Sequence, residues 1–221
     1  MLVIGITGGV GAGKSSVLKL LEEHCNCKLV LADDVGNKVK EPGQTCYSQI
    51  VELLGTDILE EDLTINRIKM AAKIFADSEI LEQVNAIIHP AVEEYILGEI
   101  ESEKKKQEIE VFFLEAALLI EAGYTRYLDE LWYIFSTKDV RIKRLKESRG
   151  YSDEKIQQIM EQQLSDEEFK KHADVILDNS NSFEETFMQI KTECIRLGVW
   201  KNRNISNKER SNLGNSNKFR K

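Results

Sequence analysis

Eight residues near the N-terminus, Gly8-Gly9-Val10-Gly11-Ala12-Gly13-Lys14-Ser15, match the pattern G-x-x-x-x-G-K-[ST] at every fixed position. That pattern suits one task, which is wrapping backbone around nucleotide phosphates. Glycines let the chain turn tightly and aim several N–H groups inward. A helix starting at the end of the loop adds partial positive charge where phosphate sits. Gly11, Ala12 and Gly13 supply the backbone of this cradle. Lys14 offers a mobile cation to the β and γ phosphates, the Ser15 hydroxyl is placed to ligate Mg²⁺, and Ser16 reaches the α phosphate. A glycine turn that binds nothing is the weaker reading, because so many glycines would only soften a structural element.

Phosphoryl transfer also needs a group that handles the acceptor. Asp33 ends the second apolar run, and ligands gather at the carboxyl ends of parallel strands. A carboxylate there can orient or deprotonate an acceptor hydroxyl. The other reading of Asp33 is a cap for the following helix; Asp34 is read as a cap or surface residue. Arg141, Arg144 and Arg149 lie on or just after one helix and are either a solvated basic face or donors to transition-state charge. At about 100° per residue, Arg144 faces the phosphates without rearrangement. Arg149 does so only if the turn at Gly150 redirects it. A GTPase is disfavoured: Asn37-Lys38-Val39-Lys40 lacks the final Asp of N-K-x-D, and Asp33-Asp34-Val35-Gly36 falls too close to the loop for a switch segment.

The elements that must position these residues follow from periodicity. Leu2 to Ile6 reads as a buried strand, about 14–24 as a helix with Val17, Leu18, Leu20 and Leu21 on its apolar side, and about 29–31 as a second strand. Strand, loop, helix, strand in that order is a βαβ unit and implies a parallel sheet. From about 35 to 106 the chain looks helical, with breaks at Pro42-Gly43, Gly55 and His89-Pro90, and is taken as a helical insertion. Further strands are predicted at about 109–114, 131–135 and 175–177. A helix over about 139–148 stops at Gly150, and Arg149 to Ser152 makes a hinge into a helical lid (about 139–170). Ser152, Ser165 with Glu168, and Ser182 with Glu185 are N-terminal caps. The fold class is therefore α/β: a parallel sheet flanked by helices, with an insertion and a small lid, in one domain over about 1–200. Residues 201–221 hold seven Lys or Arg and one Glu and are read as a disordered basic tail.

A net charge of −8 gives no broad field for nucleic acid or an anionic membrane, so an anionic substrate must be held by a local basic site. Cys25, Cys27, Cys46 and Cys194 form no C-x-x-C pair, which disfavours zinc and suits free thiols in a reducing cytosol. No run approaches the ~18 apolar residues of a transmembrane helix. The N-terminus lacks the basic n-region of a signal peptide. A cytoplasmic location is expected.

The segments in this order resemble the dephospho-CoA kinase family of P-loop kinases. The resemblance covers about residues 2–197 and runs through Ile4 to Ser16, Leu31-Ala32-Asp33, Glu41-Pro42-Gly43, Asn66-Arg67 with Phe75, Asn85 to Pro90, Leu118-Leu119-Ile120-Glu121 and Ala173 to Asn179. It implies a P-loop NTPase fold, Mg-ATP as donor, the ribose 3′-hydroxyl of dephospho-CoA as acceptor, and the last step of coenzyme A biosynthesis. By position it makes Asp33 the base, places Arg67 and His89 in the acceptor pocket, makes Arg144 a lid arginine, and sets Asn179 near the adenine. His89 has a second reading, a helix break before Pro90. Leu31 stands where the family has a first Asp, Ala117 where it has Pro, and Ser148 where it has a second lid Arg. Spacing alone leaves two alternatives open: another small-molecule or nucleoside monophosphate kinase, and a non-catalytic ATP-binding module.

Overall fold

The computed structural model describes residues 1–201. Five strands, β1 (Leu2–Thr7), β2 (Cys27–Leu31), β3 (Val111–Glu115), β4 (Glu130–Phe135) and β5 (Val175–Asp178), form one sheet in the order β2-β3-β1-β4-β5. Every pairing is parallel. The strand sequences are near-continuous apolar runs because both faces are covered. Along β3, Phe112 and Leu114 enter one core and Val111 and Phe113 the other. The first core lies under the helices that follow β2. The second lies under α1 (Lys14–His24) and the last helix.

Between β2 and β3 run α2 (Ala32–Lys38), α3 (Tyr47–Leu54), α4 (Arg67–Ala76) and the long α5 (Ser78–Lys106). Between β4 and β5 run α6 (Lys138–Arg149), α7 (Asp153–Glu161) and α8 (Asp166–His172), and α9 (Phe183–Arg196) closes the order. Ser152, Ser165 and Ser182 accept from the backbone N–H of Lys155, Glu168 and Glu185, so all three expected caps form. β1 is central, with β3 on one side and β4 on the other. The chain order reverses across it, so the carboxyl end of β1 is where such a sheet opens a crevice for ligands.

Several boundaries differ from the sequence reading. β2 stops at Leu31 and α2 starts at Ala32, so Asp33 sits in the first turn of a helix rather than at a strand end. It is not the cap: the N-cap is Leu31, with no side-chain capping bond. β3 is shifted to end on Glu115, and α6 extends through Arg149. His89-Pro90 does not break the helix, because α5 runs straight through it. A proline inside a helix disturbs the carbonyls one turn earlier. Here the Cys46 thiol donates to the Ile87 carbonyl at 3.4 Å, which supports that turn from outside. The breaks at Pro42-Gly43 and Gly55 do separate helices. The expected tail lies, but for Lys201, outside the described residues.

Candidate active site

The loop between β1 and α1 is held from behind. Ala12 is buried, and its carbonyl receives Arg144 Nη1 at 3.2 Å and Asn179 Nδ2 at 2.8 Å, with the Ser136 hydroxyl at 3.1 Å. At Val10 the N–H donates to Gln163 Oε1 (3.0 Å) and the carbonyl accepts from Arg141 Nε (2.9 Å). Arg141 Nη2 also donates to Gln163 Oε1 at 3.0 Å, which closes the ring. Glycine is required at two places. Gly13 has φ 89° and a Cβ there would collide with Asn179 Nδ2, while a Cβ on Gly8 would lie 2.5 Å from the Ile134 carbonyl oxygen.

In front of the loop is a cavity of about 590 Å³, lined among others by Lys14, Ser15, Asp33, Glu115, Arg149 and Gln163. Lys14 Nζ donates to the Gly8 carbonyl at 2.8 Å and stands 3.6 Å from Glu115 Oε1. Both side chains are mostly buried. Burial pushes the Lys14 ammonium below its usual range and the Glu115 carboxyl above its own, and the charge of each partner opposes the other's shift. Ser15 and Ser16 are exposed at the start of α1, and Ser15 faces the cavity. Leu29 and Leu31 form an apolar wall, so where the family resemblance implies a carboxylate the cavity meets Leu31.

A second cavity, about 490 Å³, runs between α2 and α5. Asp33 and Ala117 line both cavities, so Asp33 stands at their junction. His89 lines the second one. A third, about 260 Å³, holds Arg67 and shares Asn37 and Lys40 with the second. The three form one trough from the phosphate loop to the start of α4. Asp33, Gly36, Asn37 and Lys40 have the i, i+3, i+4, i+7 spacing of one helix face, and all four line the second cavity. Val35 and Val39 fill the core on the other side.

The structure thus brings Gly11, Gly13, Lys14, Ser15 and Asp33 to one cavity and sets His89 and Arg67 further along. Arg144 and Asn179 lie behind the loop. Arg144 is spent on the carbonyls of Ala12 and Asn179 and on Ser136. The expectation that Arg144 faces the phosphates without rearrangement is corrected: buried backbone acceptors need donors, and the guanidinium meets that need. Ser148 and Arg149 instead line the phosphate cavity. Asn179 bonds Ala12 through its nitrogen and accepts from Thr186 Oγ1 at 2.9 Å through its oxygen. Sequence reading missed Glu115, which a search of every strand end for carboxylates would have found. It also missed Gln163, a glutamine in a polar stretch that carried no signal.

Comparison with known proteins follows the same outline. The family model for dephospho-CoA kinase matches residues 2–185. A dephospho-CoA kinase from Oceanobacillus iheyensis is 34% identical over 189 residues, 86% of this chain and 94% of its own. A Thermus thermophilus protein of known structure superposes with a TM-score of 0.76 at 25% identity, over 88% of this chain and 96% of its own. The dephospho-CoA kinase of Campylobacter jejuni superposes with 0.68 at 22% identity, over 89% and 96%.

Two outcomes are expected from this geometry. Glu115→Gln removes the charge that holds the Lys14 pKa up against burial. Lys14 then loses its proton at lower pH, so the alkaline limb of kcat/KM for ATP, which reports the free enzyme, moves to lower pH. A limb that stays put or moves up would show that the pair is not coupled. The second outcome separates two arginines. Arg144→Ala strips donors from buried carbonyls at about 1–3 kcal/mol, so its melting temperature falls. Arg149→Ala leaves the melting temperature within a degree or two and raises KM for ATP. Thermal unfolding beside steady-state kinetics tells them apart, and the reverse pattern would exchange their roles.

Proposed function

We propose, for a chain that belongs to the dephospho-CoA kinase family, that it transfers the γ-phosphate of ATP to the ribose 3′-hydroxyl of dephospho-CoA, giving coenzyme A and ADP. The observation that carries this reading is the position of Asp33, shared by the phosphate cavity and the long groove beside it. A hydroxyl held there has the terminal phosphate on one side and room for a large acceptor on the other.

The steps follow from the residues. ATP phosphates enter the loop between β1 and α1, and Lys14 turns from Gly8 and Glu115 to the β and γ oxygens. The acceptor oxygen attacks the γ phosphorus, and its proton passes to the Asp33 carboxylate. The bond from phosphorus to the β-phosphate oxygen breaks, and ADP leaves with the electron pair. Positioning and charge stabilisation supply most of the acceleration in such transfers. Among the described residues no cluster of three or more His, Cys, Asp or Glu could hold a metal alone. The Ser15 hydroxyl, exposed at the phosphate cavity, would be the protein ligand for Mg²⁺ arriving on the nucleotide. There it would supply charge neutralisation of the phosphates.

In this reading the helices from about 35 to 106 bind the acceptor through Arg67 and His89. The segment of about 139–170 is a lid that brings Arg149 over the phosphates, and Arg144 and Asn179 position the loop from behind. The coenzyme A step assigned to this family is consistent with a cytoplasmic location. No described helix is long and apolar enough to cross a membrane.

The acceptor is tested by ADP release with dephospho-CoA, AMP, CMP or no acceptor. Turnover is expected to require dephospho-CoA, and faster turnover with AMP or CMP would point to a nucleotide kinase instead. Asp33→Asn keeps the shape of the site and removes the base. A fall in kcat of roughly 10²–10⁴ is expected, with the melting temperature unchanged. A normal kcat would mean that Asp33 does no proton transfer.

A further inference from the structure

We propose that Lys40 and Arg67 form a second anion subsite, remote from the ATP phosphates, which grips the diphosphate of the acceptor while the acceptor's ribose hydroxyl lies at Asp33. This rests on the acceptor reading above and names what lies at the far end of the trough.

Lys40 and Arg67 line the same cavity of about 260 Å³. They come from different elements: Lys40 follows α2 in the turn before Pro42, and Arg67 is the first residue of α4. Neither appears in any ion pair or side-chain hydrogen bond among the described residues. Other cations nearby are paired, Lys38 with Tyr95 at 2.7 Å and Lys73 with Asp57 at 2.7 Å. Glu41 also lines the cavity, yet no ion pair joins it to either cation. Two like charges facing one half-enclosed space repel, and burial together with Arg67 pushes the Lys40 ammonium below its usual range, with only a smaller opposing effect from Cys46 and Asp33. An arriving dianion relieves both costs and takes charge-assisted hydrogen bonds from each.

The spacing also fits. Lys40 lies seven residues beyond Asp33 on the same face of α2 and its closing turn, roughly 10 Å at 1.5 Å per residue. That is about the span of a ribose and its 5′-diphosphate. The turn itself is fixed: Lys40 N–H bonds the Asn37 carbonyl at 3.2 Å, and Cys46 N–H bonds that of Val39 at 3.1 Å. The backbone at Lys40 is therefore fixed relative to Asp33, and acceptors lacking the diphosphate offer these cations no phosphate oxygens.

The test is calorimetric titration of dephospho-CoA into the full chain saturated with ADP, comparing wild type, Lys40→Met and Lys40→Arg. Met keeps the length and loses the charge; Arg keeps the charge. Lys40→Met is expected to weaken dephospho-CoA binding about 10- to 100-fold, the loss of one charged contact. Lys40→Arg should stay within about threefold of wild type, and the affinity for ADP itself should hold in both. Near-wild-type binding by Lys40→Met, or an Lys40→Arg as damaged as Lys40→Met, overturns the subsite while leaving the acceptor reading intact. An equal loss of ADP affinity overturns it too, by tracing the effect to the fold. A wild-type protein that does not bind dephospho-CoA at all refutes the acceptor reading, and the subsite with it.

Discussion

The carbonyl of Ala12 is the point on which the phosphate loop depends. Segments far apart in sequence meet there: Ser136 after β4, Arg144 in α6 and Asn179 after β5. A loop so rich in glycine has many conformations to lose. Bonds to a buried acceptor select one of them before any ligand arrives. In a trans peptide the Gly13 N–H points opposite to the Ala12 carbonyl. Preorganised donors of this kind cost no rearrangement at the moment of reaction. At Val10 the carbonyl accepts from Arg141 of α6 and the N–H donates to Gln163 before α8, so both elements hold the same turn of the loop.

Lys14 shows the complementary strategy, a group held ready rather than fixed. Its partners, the Gly8 carbonyl and Glu115, compensate a buried cation without neutralising it. The ion pair is weak evidence of stability, since desolvation of both groups opposes their attraction. The carboxylate stands 3.6 Å from the ammonium, so the proposed move of Lys14 to phosphate oxygens breaks no close contact with Glu115.

Much of this was legible in the residues. The loop, the parallel sheet and the serine caps follow from patterns whose physics is local: glycine spacing, apolar runs and a hydroxyl before a helix. What failed was tertiary. Pro90 looked like a break because nothing in the sequence shows Cys46 arriving beside Ile87. Helix angle and the turn at Gly150 rank Arg144 above Arg149 as the arginine facing the phosphates. Angle shows which way a side chain leaves the helix, but not that a buried carbonyl is waiting for it. Glu115 was overlooked because it closes an apolar run, although its place at a strand end is the same reasoning that singled out Asp33.

Helix α2 ties the two halves of the trough together. Its apolar stripe, Val35 and Val39, is sunk in the core against α5, so the helix cannot slide or rotate without losing that burial. Its other face carries Asp33 at one end and points to Lys40 just past the other. The helix therefore fixes the backbone at Asp33, and its closing turn fixes the backbone at Lys40. Arg67 comes from a separate helix, whose first turn is fixed by the Asn66 cap. In the proposed reading, the fixed backbone of α2 and its closing turn is what would relate the acceptor's reacting hydroxyl at Asp33 to its diphosphate at Lys40.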